Sequence, residues 1–74
     1  MFNRERLTEL KAAQRLCNAE IVTAMKKATG LTVNVNTITN WERGLSEPRA
    51  SMLMALAIAL NVQVTEFLTP RVLN

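Results

Sequence analysis

The segment from Asn34 to Gly44 carries the side chains with the clearest potential for chemistry. It reads Asn-Val-Asn-Thr-Ile-Thr-Asn-Trp-Glu-Arg-Gly, so hydrogen-bonding groups are interleaved with apolar ones. An asparagine amide can bond bidentately to N6 and N7 of adenine, and a threonine methyl can touch the methyl group of thymine. These residue types could therefore read base edges, provided that a regular element turns them to one side.

Two secondary structures fit this part of the chain. Residues 31–35 alternate between apolar and polar types as a strand does, whereas a step of three residues indicates a helix. The helical spacing is carried by three apolar residues, Val35, Ile38 and Trp41. We favour a helix that begins at Asn34, because Asn is a strong N-cap and Gly44 lies where a C-cap is expected.

Such a helix has an anchored inner side and a polar outer side. The predicted core anchors are Val35, Ile38 and Trp41, and the outward-facing residues are Asn34, Asn36, Thr37, Asn40 and Arg43. Within this segment no acidic residue precedes Glu42, so a phosphate backbone would meet no repulsion over the first two turns. Composition alone favours the alternative, in which this run of Asn and Thr is a solvated loop or strand.

Three more helices and a short last element are predicted around this segment. Apolar spacing indicates helices from Asn3 to about Leu16, from Cys17 or Asn18 to Gly30, and from Arg49 to Leu60. Residues 65–68 are predicted to form a final turn or short helix. The helix at 49–60 is apolar on every side, which fits either the centre of a small bundle or an interface.

Composition limits the class of protein. The 74 residues, 49% of them apolar, predict one domain over 1–74, with a core at about 3–68 and a short tail at 69–74. Histidine is absent and Cys17 is the single cysteine, so no metal site, cofactor or catalytic group is expected. We expect no membrane insertion and a cytoplasmic location, because the longest apolar run is short and the one thiol has no partner.

The stretch 33–44, followed by Pro48 and by a helix leading to residues 61–62 and 66–68, resembles the lambda repressor/Cro-like helix-turn-helix family. The resemblance runs from about Arg6 to Leu68, and residues 37–44 are its most specific part. It implies an all-α, compact five-helix domain. In that fold the third helix enters the major groove of DNA and the second lies across the backbone.

The resemblance also implies roles for individual residues. The base-reading positions are Asn34, Asn36 and Thr37, and the positions that contact phosphate or lie at the helix end are Asn40 and Arg43. Asn18 stands where the family commonly has a glutamine that meets the DNA backbone. Lys26 and Lys27 are further candidates for phosphate contacts, because each neutralised phosphate releases counterions.

The sequence departs from the family pattern between the second and third helices. Ile21 to Val33 is about six residues longer than the common pattern. Helix two is then longer, or residues 26–32 form an extended loop. In a further register, residues 30–32 take the turn and Thr32 caps a longer recognition helix.

The function that we expect is that of a phage or prophage Cro-like or repressor-like transcriptional regulator, which binds a palindromic double-stranded DNA operator as a homodimer. The candidate dimer contacts are Phe67, Leu68, Val72 and Leu73. The alternative is an antitoxin or inhibitor that uses the apolar helix 49–60 to cover a protein partner.

Overall fold

A computed structural model describes residues 2–68 of the chain. These residues form four α-helices and one 3-10 turn, which are α1 (Arg4–Gln14), α2 (Asn18–Thr29), α3 (Val35–Arg43), α4 (Ala50–Leu60) and the turn Val64–Phe67. The elements are all helical, as predicted, but the expected count of five α-helices is wrong. The tail at 69–74 lies outside the described residues.

The last element is short because the residues on both sides of it have non-helical conformations. Asn61 ends α4 in the left-handed conformation with φ 59°, and Leu68 is extended and pairs with Phe2 in an isolated antiparallel bridge. Residues 63–68 therefore form only the i to i+3 hydrogen bonds of a 3-10 turn. The Glu66 N–H donates to the Gln63 carbonyl oxygen at 3.0 Å, and the Leu68 N–H donates to the Thr65 carbonyl oxygen at 3.2 Å.

The helical interpretation of residues 34–44 is confirmed. The Asn34 side chain accepts a hydrogen bond from the backbone N–H of Asn36 at 2.8 Å, which is the N-cap that its residue type predicts. Gly44 takes the left-handed C-cap position with φ 76°. Caps at both ends fix a helix of only nine residues.

The additional residues between Ile21 and Val33 lie mostly within α2. This helix continues to Thr29, where Gly30 caps it with φ 78°, so Lys26 and Lys27 are helical. Of the alternatives for this segment, the longer helix two is confirmed, whereas the extended loop over 26–32 and the register in which Thr32 caps α3 are wrong. Residues 30–34 make the connection to α3.

The first turn of α2 is closed by a carboxylate. Glu20 Oε1 accepts the Cys17 backbone N–H at 2.9 Å, so the side chain returns to the residue before the helix. This bond lowers the pKa of Glu20 because it favours the charged carboxylate. The start of α2, and with it the place of Asn18, is thereby fixed.

One hydrophobic core joins all the elements. Helix α2 packs along α4, and α3 packs against α1 and α2. The fully buried larger side chains come from every element and are Leu7, Ile21, Met25, Ile38, Leu56, Leu60 and Phe67. The rings of Phe2 and Phe67 stack with centroids 5.6 Å apart, which closes the chain start over the 3-10 turn.

No helix within residues 2–68 has both the length and the apolar character needed to cross a bilayer.

The end of α3 yields a stability prediction. Gly44 and Gly30 have nearly the same positive φ, but a Cβ at Gly44 would collide with the guanidinium of Arg4, whereas a Cβ at Gly30 meets nothing within 4 Å. Both Gly→Ala variants should lose about 1 kcal/mol of unfolding free energy to backbone strain. Gly44→Ala should lose up to about 1 kcal/mol more, since it displaces the Arg4 Nη1 hydrogen bond to the Arg43 carbonyl oxygen.

Urea unfolding measures this difference, and Gly30→Ala is the matched control. In an Arg4→Ala background the two glycine variants should become equivalent. Equal losses in the wild-type background would contradict a role for Arg4 at the end of α3.

Candidate nucleic-acid interface

Helix α3 has two unlike sides. Ile38 and Trp41 are buried in the core and hold the helix from beneath. On the outside, five residues at the start or along the helix are exposed: Asn34, Val35, Asn36, Asn40 and Arg43. Thr37 is half-buried at the border between the sides. The polar residues singled out from the sequence therefore lie mainly on one accessible surface.

Val35 does not lie where the apolar spacing predicts. Its side chain is 41% exposed, whereas Ile38, one turn further along, is fully buried. Val35 is the first residue of α3, and the side chains of a helix tilt toward its N-terminus, so this one extends beyond the part of the helix that packs on the core. The expectation of a core anchor at Val35 is wrong.

The outer asparagines differ in what their amides already bind. Asn34 uses its side-chain oxygen for the N-cap, with only its NH₂ group left over. Within residues 2–68, the side-chain amides of Asn36 and Asn40 make no hydrogen bond to the protein. These two residues are four apart, so they lie on the same face of α3 and offer it both donors and acceptors.

The carboxylate of Glu42 is covered by a lysine from α1. Lys11 Nζ lies 3.1 Å from Oε1 and 2.9 Å from Oε2 of Glu42, and each side chain is only 19% exposed. Helix α3 thus carries an acid whose charge is neutralised inside the fold. Nothing in the spacing of residues 11 and 42 along the chain indicates this pair, which arises because α1 packs on α3.

Asn18 faces α3 rather than solvent. Its Nδ2 group donates to Thr39 Oγ1 at 3.1 Å and to Glu42 Oε1 at 2.9 Å, and its Oδ1 atom is buried without a hydrogen-bond partner. Both side-chain N–H groups are therefore used inside the fold. The side chain that the resemblance places on a phosphate instead joins the start of α2 to the second half of α3.

Three of the predicted phosphate contacts are exposed cations. Lys26 and Lys27 lie exposed in the last turn of α2, and Arg43 lies exposed at the end of α3. Within residues 2–68 these three side chains form no ion pair. Successive residues of a helix point about 100° apart, so the two lysines cannot share one direction.

The predicted dimer residues are divided by the fold. Phe67 is fully buried against Phe2 and cannot form an intermolecular contact, so this expectation is wrong. Leu68 is 42% exposed. Val72 and Leu73 lie outside the described residues. Met54 and Ile58, one turn apart on α4, are further large apolar residues that are exposed, and the sequence expectation did not single them out.

No group of three or more Cys, Asp or Glu residues in 2–68 has a spacing that could hold an ion.

A family model described as helix-turn-helix matches residues 22–67, which is more than half of the chain. Neither curated proteins nor solved structures give a significant match. The matched range contains most of α2 and all of α3 and α4, so it covers the surface described above.

The covered ion pair can be tested by stability. Replacing Lys11 with Met keeps the aliphatic stem but leaves the half-desolvated Glu42 carboxylate without its cation. The unfolding free energy should fall by about 1–3 kcal/mol. Adding Glu42→Met should restore much of the loss, because the unpaired charge is removed as well.

Lys26→Met, at an exposed lysine of α2, is the matched control and should change stability by no more than about 0.5 kcal/mol. Urea titrations followed by the fluorescence of Trp41, the single tryptophan, give all four values. If Lys11→Met is no more destabilising than Lys26→Met, the pair does not hold α3 in place.

Proposed function

Since the chain belongs to the lambda repressor/Cro-like helix-turn-helix family, a family of DNA-binding regulators, we propose that it recognises a specific double-stranded DNA operator through α3 and regulates transcription by occupying it. One observation carries this proposal. The outer side of α3 presents free amides, while its one acidic side chain is neutralised by Lys11.

The reading of bases falls to the first and middle turns of α3. A recognition helix contacts base edges mainly with its N-terminal residues. Asn36 has an exposed amide free for bidentate bonding to adenine, and Asn40 follows on the same face. Asn34 and Thr37 flank this pair. Asn34 keeps only its NH₂ group for DNA, and Thr37 offers a half-buried side chain beside the anchor Trp41.

The attraction to phosphate comes from cations around the helix. Arg43 at the end of α3 and Lys26 and Lys27 at the end of α2 are exposed. A duplex approaching α3 therefore meets positive charge at the helix end, and the Glu42 carboxylate beneath is already paired. Asn18 has no part in this contact in our proposal, because its side-chain donors bind Thr39 and Glu42.

The regulator that we propose is a homodimer on a palindromic operator. A helix of nine residues reads only a few base pairs. Two such helices spaced one turn of DNA apart, roughly 34 Å, multiply the discrimination of each half-site. Leu68 and the Met54 and Ile58 pair of α4 are exposed apolar residues in the described chain that could bury surface between two copies.

The second candidate function is binding of a protein partner through α4. The exposure of Met54 and Ile58, at 57% and 55%, favours it. Most of α4 does not support it, however, since Ala55, Leu56 and Leu60 are already buried in the core of this chain. An apolar partner surface of that kind would not require the free amides on α3.

Selection of bound sites from random duplex DNA tests the proposal. The purified chain should enrich a palindromic motif whose half-sites contain A·T pairs.

Replacing Asn36 with Ala should cost about 1–3 kcal/mol of binding and relax the preference at one base pair in each half-site. Gln63→Ala, which removes an exposed side-chain amide outside α3 at a position with negative φ, serves as the control for an effect on binding. The absence of any enriched motif would favour the protein-binding alternative, and an unchanged preference in Asn36→Ala would show that α3 does not meet DNA in this way.

The lysines at the end of α2 are tested separately from the asparagines. Lys26→Ala and Lys27→Ala should each weaken binding about equally for selected and random duplexes. Each lysine that contacts a phosphate should lower the slope of log affinity against log salt by about 1. Because the two side chains point in different directions, the two slopes need not change together. A slope that is unchanged in both variants would assign these lysines to solubility alone.

A further inference from the structure

Val35 is an exposed apolar side chain at the N-terminal end of α3, the end that we expect to meet DNA first. It is 41% exposed and lies between Asn34 and Asn36, both of which are also exposed. The helix itself is anchored without it, since Ile38 and Trp41 supply the buried side. Its two methyl groups therefore remain available to something outside the described fold.

The geometry of the first turn holds these methyl groups in a defined place. The Asn34 cap fixes the start of the helix, and the Val35 carbonyl oxygen accepts a hydrogen bond from Thr39 Oγ1 at 3.2 Å. A β-branched side chain in a helix has essentially one χ1 rotamer, so little side-chain entropy is lost when it makes a contact. The Cα–Cβ bond tilts toward the N-terminus of the helix, which is the end that contacts base edges.

The chemistry of valine selects one group in the major groove. Valine has no hydrogen-bonding side-chain atom, so it cannot pair with the donors and acceptors that the base edges present. The exposed apolar group among the four bases is the 5-methyl of thymine. A methyl-to-methyl contact removes both groups from water, whereas a contact with cytosine or a purine would cover a polar edge without satisfying it.

We propose that Val35 is a specificity-determining residue that reads the 5-methyl group of one thymine in each half-site. This inference rests on the proposed function, and it adds a contact that does not depend on hydrogen bonds. Asn36, the next residue, addresses adenine, so the two neighbouring side chains together favour A·T pairs at the position of the first turn.

Replacing thymine with deoxyuridine tests this contact directly, because it removes only the methyl group and keeps the base pair. Each thymine of the selected site is replaced in turn in a synthetic duplex, and affinity is measured by fluorescence anisotropy. At one thymine per half-site the wild-type chain should bind about fourfold more weakly, as expected for the loss of one buried methyl group. Val35→Ala should bind the thymine duplex more weakly and lose this sensitivity.

Leu45→Ala is the matched control. Leu45 is 70% exposed and follows the C-cap of α3, so its truncation also removes exposed apolar surface but should leave the response to deoxyuridine unchanged. Circular dichroism checks that Val35→Ala remains folded, as expected because alanine has the higher helix propensity.

The outcomes distinguish a failure of the Val35 contact from a failure of the proposed function. Enrichment of a site with no deoxyuridine effect at any thymine overturns the role of Val35 and leaves the proposed function standing. A deoxyuridine effect that persists in full in Val35→Ala does the same, since another group must then read the methyl. Failure to enrich any site overturns both the proposed function and this inference.

Discussion

The burial of one side of α3 is the constraint on which the rest of the molecule depends. A helix of nine residues is too short to be stable in water by itself. It persists because Ile38 and Trp41 are buried, because Asn34 and Gly44 cap its ends, and because the side chains of α1 and α2 hold its polar inner residues. Apart from the cap Asn34, the outer residues do not contribute to this support, so their types can vary without unfolding the helix.

A polar link between three helices accompanies this packing. Lys11 from α1 and Asn18 from α2 both bind Glu42 on α3, and Asn18 also reaches Thr39. A half-buried carboxylate needs such partners, because a charge removed from water without them costs several kcal/mol. The same contacts keep negative charge away from the outer surface of α3. The paired Glu42 therefore helps to hold α3 in place and adds no unpaired negative charge to the surface that we propose meets DNA.

Local patterns in the sequence predict the elements well where the physics is local. Periodic apolar residues locate the four helices, and Asn34 and Gly44 mark the ends of α3 because capping depends on residues within one turn. The errors concern contacts between residues far apart in the chain. Phe67 is buried because Phe2 stacks on it, and Asn18 turns inward because α3 brings Thr39 and Glu42 to it. Val35 fits the apolar spacing of α3, but that spacing does not show that burial begins only one turn later, at Ile38.

These contacts also give different roles to the Asn and Thr residues of segment 34–40, which composition alone could not distinguish. Of the Asn and Thr residues between 34 and 40, Asn34 is used as a cap, Thr39 bonds within the fold, and Thr37 is half-buried. Asn36 and Asn40 are left with free side-chain amides, and the methyl groups of Val35 are exposed as well. If this surface reads DNA as proposed, it can distinguish few base pairs, since each mismatch typically costs only about 1–3 kcal/mol. The small size of this surface therefore supports the proposal that two copies of the chain bind together. Two copies on symmetric half-sites would double the number of contacts without requiring any further residue on α3.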